Sequence, residues 1–181
     1  MKVLRRLVVF VFVVDCLVLF CFLFYGLVWF NLLSNSVYYA KHTPHRLGVE
    51  PVLMMLAENL DWVSTPDNIK GIKYDFDGLP AVLMFDETDR QVGFFTTSNI
   101  FDERGYTFDN EKLSFEFDHN FNIVKVYDNT KAVEEISKEG INEVEVKKHL
   151  YKLLRPLINR QSKPLVNLQW LFDYVYRDEF N

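Results

Sequence analysis

The sequence has little cysteine, and all of it lies near one end. Cys16 and Cys21 are the only two, so residues 34–181 contain none. A disulfide-stapled fold is therefore excluded for those residues, as are a cysteine nucleophile and a thiolate zinc site. A domain without such crosslinks depends on its hydrophobic core, and aromatic residues, which make up 16% of the chain, can supply one.

The sequence also lacks the motifs of the common enzyme classes. It contains no G-x-S-x-G elbow, no P-loop, no glycine-rich dinucleotide fingerprint and no H-E-x-x-H pair. His42 and His45 have the spacing of metal ligands, but a metal site needs three or four converging groups and no third ligand lies near them in sequence. We therefore predict that the protein is not an enzyme and uses no metal or other cofactor.

Positive charge is scarce beyond the N-terminal region. Residues 34–181 carry 17 basic and 24 acidic side chains, a net charge of −7. Nucleic acids and anionic lipid surfaces bind basic patches, so this balance argues against both as partners. No motif indicates a small-molecule substrate either. The predicted partner is a protein, and a basic surface on it would complement this charge.

What the chain does have is one long apolar run. Leu7 to Leu33 contains 20 Leu, Val or Phe residues and a single charge, Asp15. Those residues contribute about −6 to −12 kcal/mol to membrane insertion, against about +2.5 to +3.5 kcal/mol for a central Asp. The run is longer than the roughly 7–15 apolar residues of a cleaved signal. An uncleaved membrane anchor is therefore predicted.

The flanking charges predict how the anchor is oriented. Lys2, Arg5 and Arg6 precede it, whereas no Lys or Arg follows until Lys41. Since positive flanks stay in the cytoplasm, we expect a single-pass protein of the cell membrane with its N-terminus inside. The predicted divisions are 1–33 as cytoplasmic stub and transmembrane anchor, 34–46 as connector and 47–181 as one extracellular domain.

Asp15 has two interpretations. A carboxyl group inside the membrane would pair with the membrane helix of a partner, since intramembrane acids often mark functional sites. Alternatively the span proper is Cys16 to Leu33, about 27 Å long at 1.5 Å per residue. Asp15 would then be hydrated at the inner interface, and we favour this second interpretation.

Beyond the connector, the periodicity predicts an α+β fold. Glu50 to Leu60 has apolar residues at helical spacing, with Pro51 in the first turn. Short segments of alternating polar and apolar residues follow, divided by Asp, Asn and Gly, as in an antiparallel meander with one solvated face. The predicted strands are 72–76, 81–85, 91–97, 106–108, 112–117 and 121–127.

The C-terminal part predicts helices. We expect a short helix from Ala132 to Ser137, and a longer one capped by Asn142 that Pro156 ends or kinks. Pro164 is expected to start the last helix, so that two helices cover one face of the sheet. The predicted order is a transmembrane helix, a helix, an antiparallel β-meander and a C-terminal helical pair.

Acidic residues gather in the predicted turns. A meander that brought them to one edge would build a negative rim, which could steer a basic protein surface. The simpler interpretation, which we favour, is that Asp is a common turn former. Asp75-x-Asp77-Gly78 resembles the start of a calcium loop but lacks the later ligands. The candidate partner-binding residues are Asp75, Asp77, Asp86, Glu87, Asp89, Asp102 and Glu103.

The whole architecture resembles a known family. One span with a basic inner flank, a thiol-free exported α+β domain and a low-GC composition are similar to the TipC-type immunity proteins of streptococci and their relatives. The segment from Lys73 to Asn129 shares their short aromatic strands and acidic turns. The resemblance implies a membrane-anchored antidote of a Gram-positive cell that binds and neutralises a toxin exported by type VII secretion. In that family the toxin attacks lipid II.

A second hypothesis stays open. The chain could be a single-span subunit of a secretion, conjugation or cell-wall assembly complex, in which Asp15 contacts a membrane partner. An extracytoplasmic enzyme would instead require acids clustered in a pocket with perturbed pKa values.

Overall fold

A computed structural model describes residues 2–60, 62, 69–75, 81–100, 103–131 and 134–181. The side chains of residues 2–8, 74–75, 98–100 and 103–104 are outside that description. The helices are α1 (Lys2–Ser34), α2 (Ser36–Ala40), α3 (Pro51–Glu58), α4 (Glu143–Arg160), α5 (Gln169–Val175) and α6 (Arg177–Phe180). The strands are β1 (Ile72–Asp75), β2 (Ala81–Phe85), β3 (Gln91–Ile100), β4 (Glu103–Asp109), β5 (Leu113–Phe117), β6 (Ile123–Asp128) and β7 (Glu134–Glu135).

Helix α1 contains the apolar run. Its segment Val9–Ser34 is 26 residues long, and none of its most apolar stretch is buried inside the protein. At 1.5 Å per residue the segment measures about 39 Å, more than the roughly 30 Å hydrocarbon layer of a bilayer. Within the described residues the chain thus has one helix, near its N-terminus, that is long and apolar enough to cross a membrane.

The seven strands form one antiparallel sheet in the order β1-β2-β3-β4-β5-β6-β7, which confirms the predicted meander and the α+β class. Cross-strand pairing aligns one apolar row across the inner face. Each residue of that row pairs with the next, and each is at most 2% exposed. The row is Val82, Phe95, Phe108, Phe115 and Val126.

The opposite face of the sheet is largely polar. Thr96 pairs with Thr107, Thr107 with Glu116, and Glu116 with Lys125, so that a carboxylate and an ammonium group sit side by side. All four side chains are partly exposed. The sheet therefore has one buried and one solvated face, as the alternation predicts.

Helices α3 and α4 cover the inner face. Gly93 in β3 lies against α4. A Cβ there would lie 2.9 Å from Met84, 3.1 Å from Phe108 and 3.3 Å from Cδ1 of Leu153 on α4. A larger residue at this position would have to displace these side chains.

One helix prediction is wrong at the C-terminal side of the sheet. The segment expected as a helix at 132–137 contains strand β7 instead, because Glu134 and Glu135 pair with Asp128 and Tyr127 of β6; residues 132–133 lie outside the described part. Helix α4 begins at the predicted cap, where Asn142 accepts from the N–H of Glu145 at 3.3 Å.

Helix α4 also continues through Pro156 to Arg160, where the sequence predicts an end or a kink. Proline removes the bond to the carbonyl of Lys152, four residues earlier. Both Pro156 and Lys152 are exposed, so water can donate a hydrogen bond to that carbonyl.

The last helices begin later than predicted. Helix α5 starts at Gln169, five residues after Pro164, and Leu165 projects fully into solvent instead of joining an apolar stripe. The reason lies in contacts with residues that are distant in sequence. The carbonyl of Val166 and the N–H of Leu168 are engaged by groups on α1 and on Tyr39 of α2, so residues 164–168 cannot make the bonds of a helix.

Residues 34–46 do more than connect. They contain α2, and Val37 and Tyr39 of that helix are 0% exposed. Leu32, near the end of α1, is 1% exposed and belongs to the same core. The apolar side chains needed to close this part of the core therefore come from a segment expected to be a connector, and from α1 itself.

Candidate functional site

The meander topology divides the five predicted partner-binding acids that lie in the described residues between two ends of the sheet. Asp75 closes β1 and Glu103 opens β4, so both lie at one end. The turn between β2 and β3, which holds Asp86, Glu87 and Asp89, lies at the other. Strand β3, with 10 residues, is about 33 Å long, and Asp75, which pairs with Ala81 opposite Thr96, lies about half that distance from the turn. Asp77 and Asp102 lie outside the described residues.

The β2–β3 turn is organised by Asp86. Its Oδ1 accepts from the N–H of Thr88 at 2.8 Å, the hydroxyl of Thr88 at 2.6 Å and the N–H of Arg90 at 3.1 Å. These bonds hold the ionised form, and they lower the pKa of Asp86 to about 2. Asp86 therefore has the turn-forming role favoured from the sequence, and its oxygens are already engaged within the turn.

Neighbouring turns are tied to this one. Arg90 makes an ion pair with Glu111 of the β4–β5 turn at 3.2 Å. The N–H of Asn129, in the β6–β7 turn, donates to the carbonyl of Lys112 at 2.9 Å. We call the strand ends and turns joined here (86–91, 109–113 and 128–135) the acidic end.

Charge at the acidic end is strongly negative. It carries eight carboxylates and three cations. Glu87 and Asp89 are exposed, and within the described part of the chain neither forms an ion pair. They can meet a basic surface without first breaking a bond. The carboxylates are Asp86, Glu87, Asp89, Asp109, Glu111, Asp128, Glu134 and Glu135, and the cations are Arg90, Lys112 and Lys131.

Helix α4 carries a surface of opposite sign that sequence reasoning missed. A groove of about 560 Å³ runs along it. Three cations, Lys148, Lys152 and Arg155, line this groove together with His149, against one acid, Glu145. Their i, i+4 and i, i+3 spacing was the available signal, since it places them on one helical face.

Helix α1 is joined to the domain by a partly buried polar contact around Tyr39. The Tyr39 hydroxyl donates to Oδ1 of Asn31 at 2.6 Å, lies 3.2 Å from the carbonyl oxygen of Val166 and accepts from the N–H of Leu168 at 3.1 Å. Asn31 Nδ2 also donates to Val166 at 3.3 Å. Burial raises the pKa of Tyr39. We call Asn31, Leu32, Tyr39 and residues 164–168 the root junction.

A second set of bonds extends the root junction into α5. Gln169 Nε2 donates to the carbonyl of Tyr39 at 3.0 Å, to the hydroxyl of Thr43 at 3.0 Å and to Oδ1 of Asp173 at 2.8 Å. Thr43 donates to the same Asp173 oxygen at 2.7 Å. The bonds from Tyr39 and Thr43 to α5 join residues about 130 positions apart in sequence, so sequence patterns do not show them. The one local signal was Asn31, a polar residue in an apolar run.

Asp15 lies on the part of α1 that no other described residue covers. Every residue from Val9 to Leu27 is exposed, whereas Val28 and Trp29 are half-buried against the core. The domain thus contacts only the C-terminal end of α1, and Asp15 stands more than three helical turns before it.

The histidine pair is engaged in local hydrogen bonds. His42 and His45 use a ring nitrogen on the carbonyl oxygens of Tyr38 and Thr43, at 2.8 and 3.1 Å. Among the described residues, no group of three or more His, Cys, Asp or Glu side chains is placed to hold a metal ion.

Comparison of the chain with protein-family models, with curated proteins and with solved structures gives no match.

Proposed function

We propose that the chain is a single-pass membrane protein with its N-terminus in the cytoplasm and its sheet domain outside the cell. Two features support this. Helix α1 is long and apolar enough to cross a bilayer, and Lys2, Arg5 and Arg6 lie on one side of it only. The domain rests on the opposite end of the helix.

The root junction limits which part of α1 can face lipid. Leu32 is buried in the domain core, so a span of Cys16 to Leu33 would draw the domain into the hydrocarbon. The exposed part, Val9 to Leu27, measures about 28 Å, close to the thickness of the hydrocarbon layer. Asp15 then lies about 9 Å inside the bilayer instead of at its inner interface.

We propose that this protein protects its own cell by binding an exported antibacterial toxin, as its resemblance to TipC-type proteins implies. The observation that carries the proposal is the fixed root junction. A toxin that attacks a lipid-linked precursor must reach the outer leaflet, and the root junction holds this domain directly above that leaflet. Attachment to the membrane also keeps the antidote at high effective concentration there.

The acidic end is the surface we assign to the toxin. It carries eight carboxylates, among them the exposed Glu87 and Asp89, and charge of this kind accelerates the encounter with a basic partner. Occlusion of a toxin requires a complementary surface and no chemical step by this chain.

A contact-killing experiment tests the proposal. Cells of the source strain that lack this chain are grown on a surface with their parent, and surviving cells are counted. We expect loss of the chain to reduce survival, and the full-length chain to restore it. Equal survival with and without the chain would refute immunity.

Charge variants then test the assigned surface. We expect Glu87→Lys combined with Asp89→Lys to restore survival poorly. The matched control is Glu139→Lys combined with Asp178→Lys, two exposed acids elsewhere, which gives the same change in net charge and should restore survival fully. If both pairs rescue equally, the chain confers immunity through another surface.

One observation favours a second candidate, the subunit of a secretion, conjugation or cell-wall assembly complex. With the span at Val9 to Leu27, Asp15 lies within hydrocarbon, where an unpaired carboxylate is costly. A partner helix that pairs with it would relieve this cost. Replacing only residues 9–27 of α1, the part that the domain does not cover, by an unrelated apolar segment should preserve immunity but abolish the role of such a subunit.

A further inference from the structure

Large apolar side chains surround α1 at the point where it leaves the domain. The chain has three tryptophans: one on α1, one in contact with Phe30 of α1 and one on α5, next to a residue bonded to α2. Trp29 is on α1 itself and half-buried against the core. Trp62 and Trp170 are 50% and 69% exposed. Scattered exposed apolar residues are ordinary on a protein surface, but a contiguous group of them usually marks a contact.

Trp62 marks one side of the helix. Its ring lies 6.3 Å from that of Phe30 on α1, edge to face. Phe30 is 56% exposed, so the pair forms a continuous aromatic surface that starts on the helix and continues onto the domain.

Residues 165–170 mark another side. Asn31 follows Phe30 and therefore points about 100° further round the helix. It donates to the carbonyl of Val166, which brings this segment to the helix. Leu165 and Val166 are fully and 60% exposed there. Trp170 follows Gln169, whose side chain is bonded to the carbonyl of Tyr39.

These residues form what we call the aromatic collar: Trp29, Trp62, Leu165, Val166 and Trp170. The collar continues directly from Phe30, the point at which α1 emerges from the domain. A surface in that position meets the headgroup layer as soon as α1 crosses a bilayer. Tryptophan prefers that layer, because its ring is apolar while its indole N–H can bond water or lipid carbonyls.

We propose that the aromatic collar is a lipid-binding surface, seated in the headgroup region of the outer leaflet. The inference rests on the membrane crossing of α1 proposed above. The domain is then held to the bilayer at several points around one helix, which sets the height and tilt at which it presents its other surfaces.

Depth-dependent quenching of tryptophan fluorescence tests this. The full chain is reconstituted into vesicles whose lipids carry bromine either near the top or near the end of the acyl chains. Three variants keep one tryptophan each, with the others changed to Phe. A fourth, the control, changes all three to Phe and adds Val144→Trp. Val144 is exposed at the start of α4, about 21 Å along that helix from Ile158, the residue that binds Lys41 beside α2.

Trp62 and Trp170 are expected to lose about half of their emission or more to bromines near the chain top, and less to those near the chain end. The Val144→Trp control, whose tryptophan lies outside the collar, should keep its emission. The intact chain provides a second reading without substitutions. Upper-chain bromines should quench most of its total emission, whereas they should quench about one third if Trp29 alone of the three tryptophans touches lipid.

The outcomes separate this inference from the one on which it rests. If Trp29 is quenched while Trp62 and Trp170 are open to iodide in water, α1 is inserted and the collar proposal is refuted. If Trp62 and Trp170 are shielded from both iodide and bromine, they face protein and the lipid assignment is also refuted. If Trp29 itself escapes quenching, α1 does not cross the bilayer and both proposals fall.

Discussion

The root junction and the acidic end are built in opposite ways. At the root junction, side chains far apart in sequence share buried bonds, with Tyr39 joined to Asn31, Val166 and Leu168. At the acidic end the hydrogen bonds lie within single turns. Asp86, for example, accepts from residues two and four positions away. One region is fixed by the tertiary fold and the other by local chain chemistry.

The two regions should also lose stability at opposite ends of the pH range. Asp86 has a lowered pKa, so its contribution to the stability of the folded state is present above pH 4 and is lost as the pH falls towards 2. Close to the root junction, Tyr39 packs on Phe172 and Phe172 on Tyr176, with ring centroids 5.3 and 4.5 Å apart. Burial raises the pKa of Tyr176 to about 12. This cluster is therefore sensitive to base.

The largest expected effect is at Leu32. Changing it to Ala removes a side chain that is 1% exposed, and we expect the free energy of unfolding to fall by about 2–5 kcal/mol. Leu27→Ala is the matched control, since Leu27 lies on the same helix and is 67% exposed; its effect should stay within about 0.5 kcal/mol. Chemical denaturation in detergent measures both. Equal losses would contradict the burial of α1 in the domain.

Alkaline stability comes next. Below pH 10 both folded and unfolded states keep the Tyr176 phenol protonated, so it has no effect on stability. Between pH 10 and about 12 only the unfolded state ionises, and the free energy of unfolding should fall by about 2–3 kcal/mol. Tyr176→Phe should remove this loss. The test is the difference between the two denaturation curves across that pH range, and parallel curves would refute it.

A smaller effect is expected at Tyr39. Tyr39→Phe keeps the ring but removes the hydroxyl from its part-buried bonds to Asn31, Val166 and Leu168, which should cost about 1–3 kcal/mol. Tyr38→Phe is the control, since Tyr38 is half-buried and neighbouring; we expect its cost to stay within about 0.5 kcal/mol. Thermal melting in detergent compares them. A Tyr39 variant as stable as the control would show that the hydroxyl does not hold the junction.

The smallest effect on stability is expected at the acidic end. Glu87→Gln together with Asp89→Asn removes two exposed charges, and the free energy of unfolding should change by no more than about 0.5 kcal/mol. Protection from the toxin should nevertheless fall in the contact-killing experiment. Loss of stability comparable to that of Leu32→Ala would mean that this end, too, is held by tertiary contacts.

The sheet could be predicted from the sequence because its signals are local. Alternation of polar and apolar residues located six strands, and β2 agrees with the prediction at both ends, from Ala81 to Phe85. Turn residues such as Asp86 act within four positions of themselves. Asn142, too, caps α4 through a bond to a residue three positions on.

The root junction and the division of the acidic residues could not be predicted from local sequence patterns. Pro164 is a reasonable helix start, yet residues 164–168 bind Asn31 and Tyr39 instead. Strand propensity did not predict a strand at Glu134, because this segment becomes a strand by pairing with the edge of β6. Which turns share an end of the sheet depends on the number of strands between them, so Asp75 and Asp86 separate although they are close in sequence.

We infer that α1 and the sheet domain form one rigid unit. A distance measurement between two spin labels in lipid nanodiscs tests this rigidity. One label is placed on native Cys16, with Cys21→Ser, and the other on Val144→Cys, an exposed site on α4. We predict a single narrow distance distribution, broadened by Tyr39→Phe. A broad distribution in the parent chain would show that residues 34–46 are a flexible connector and would contradict the claim.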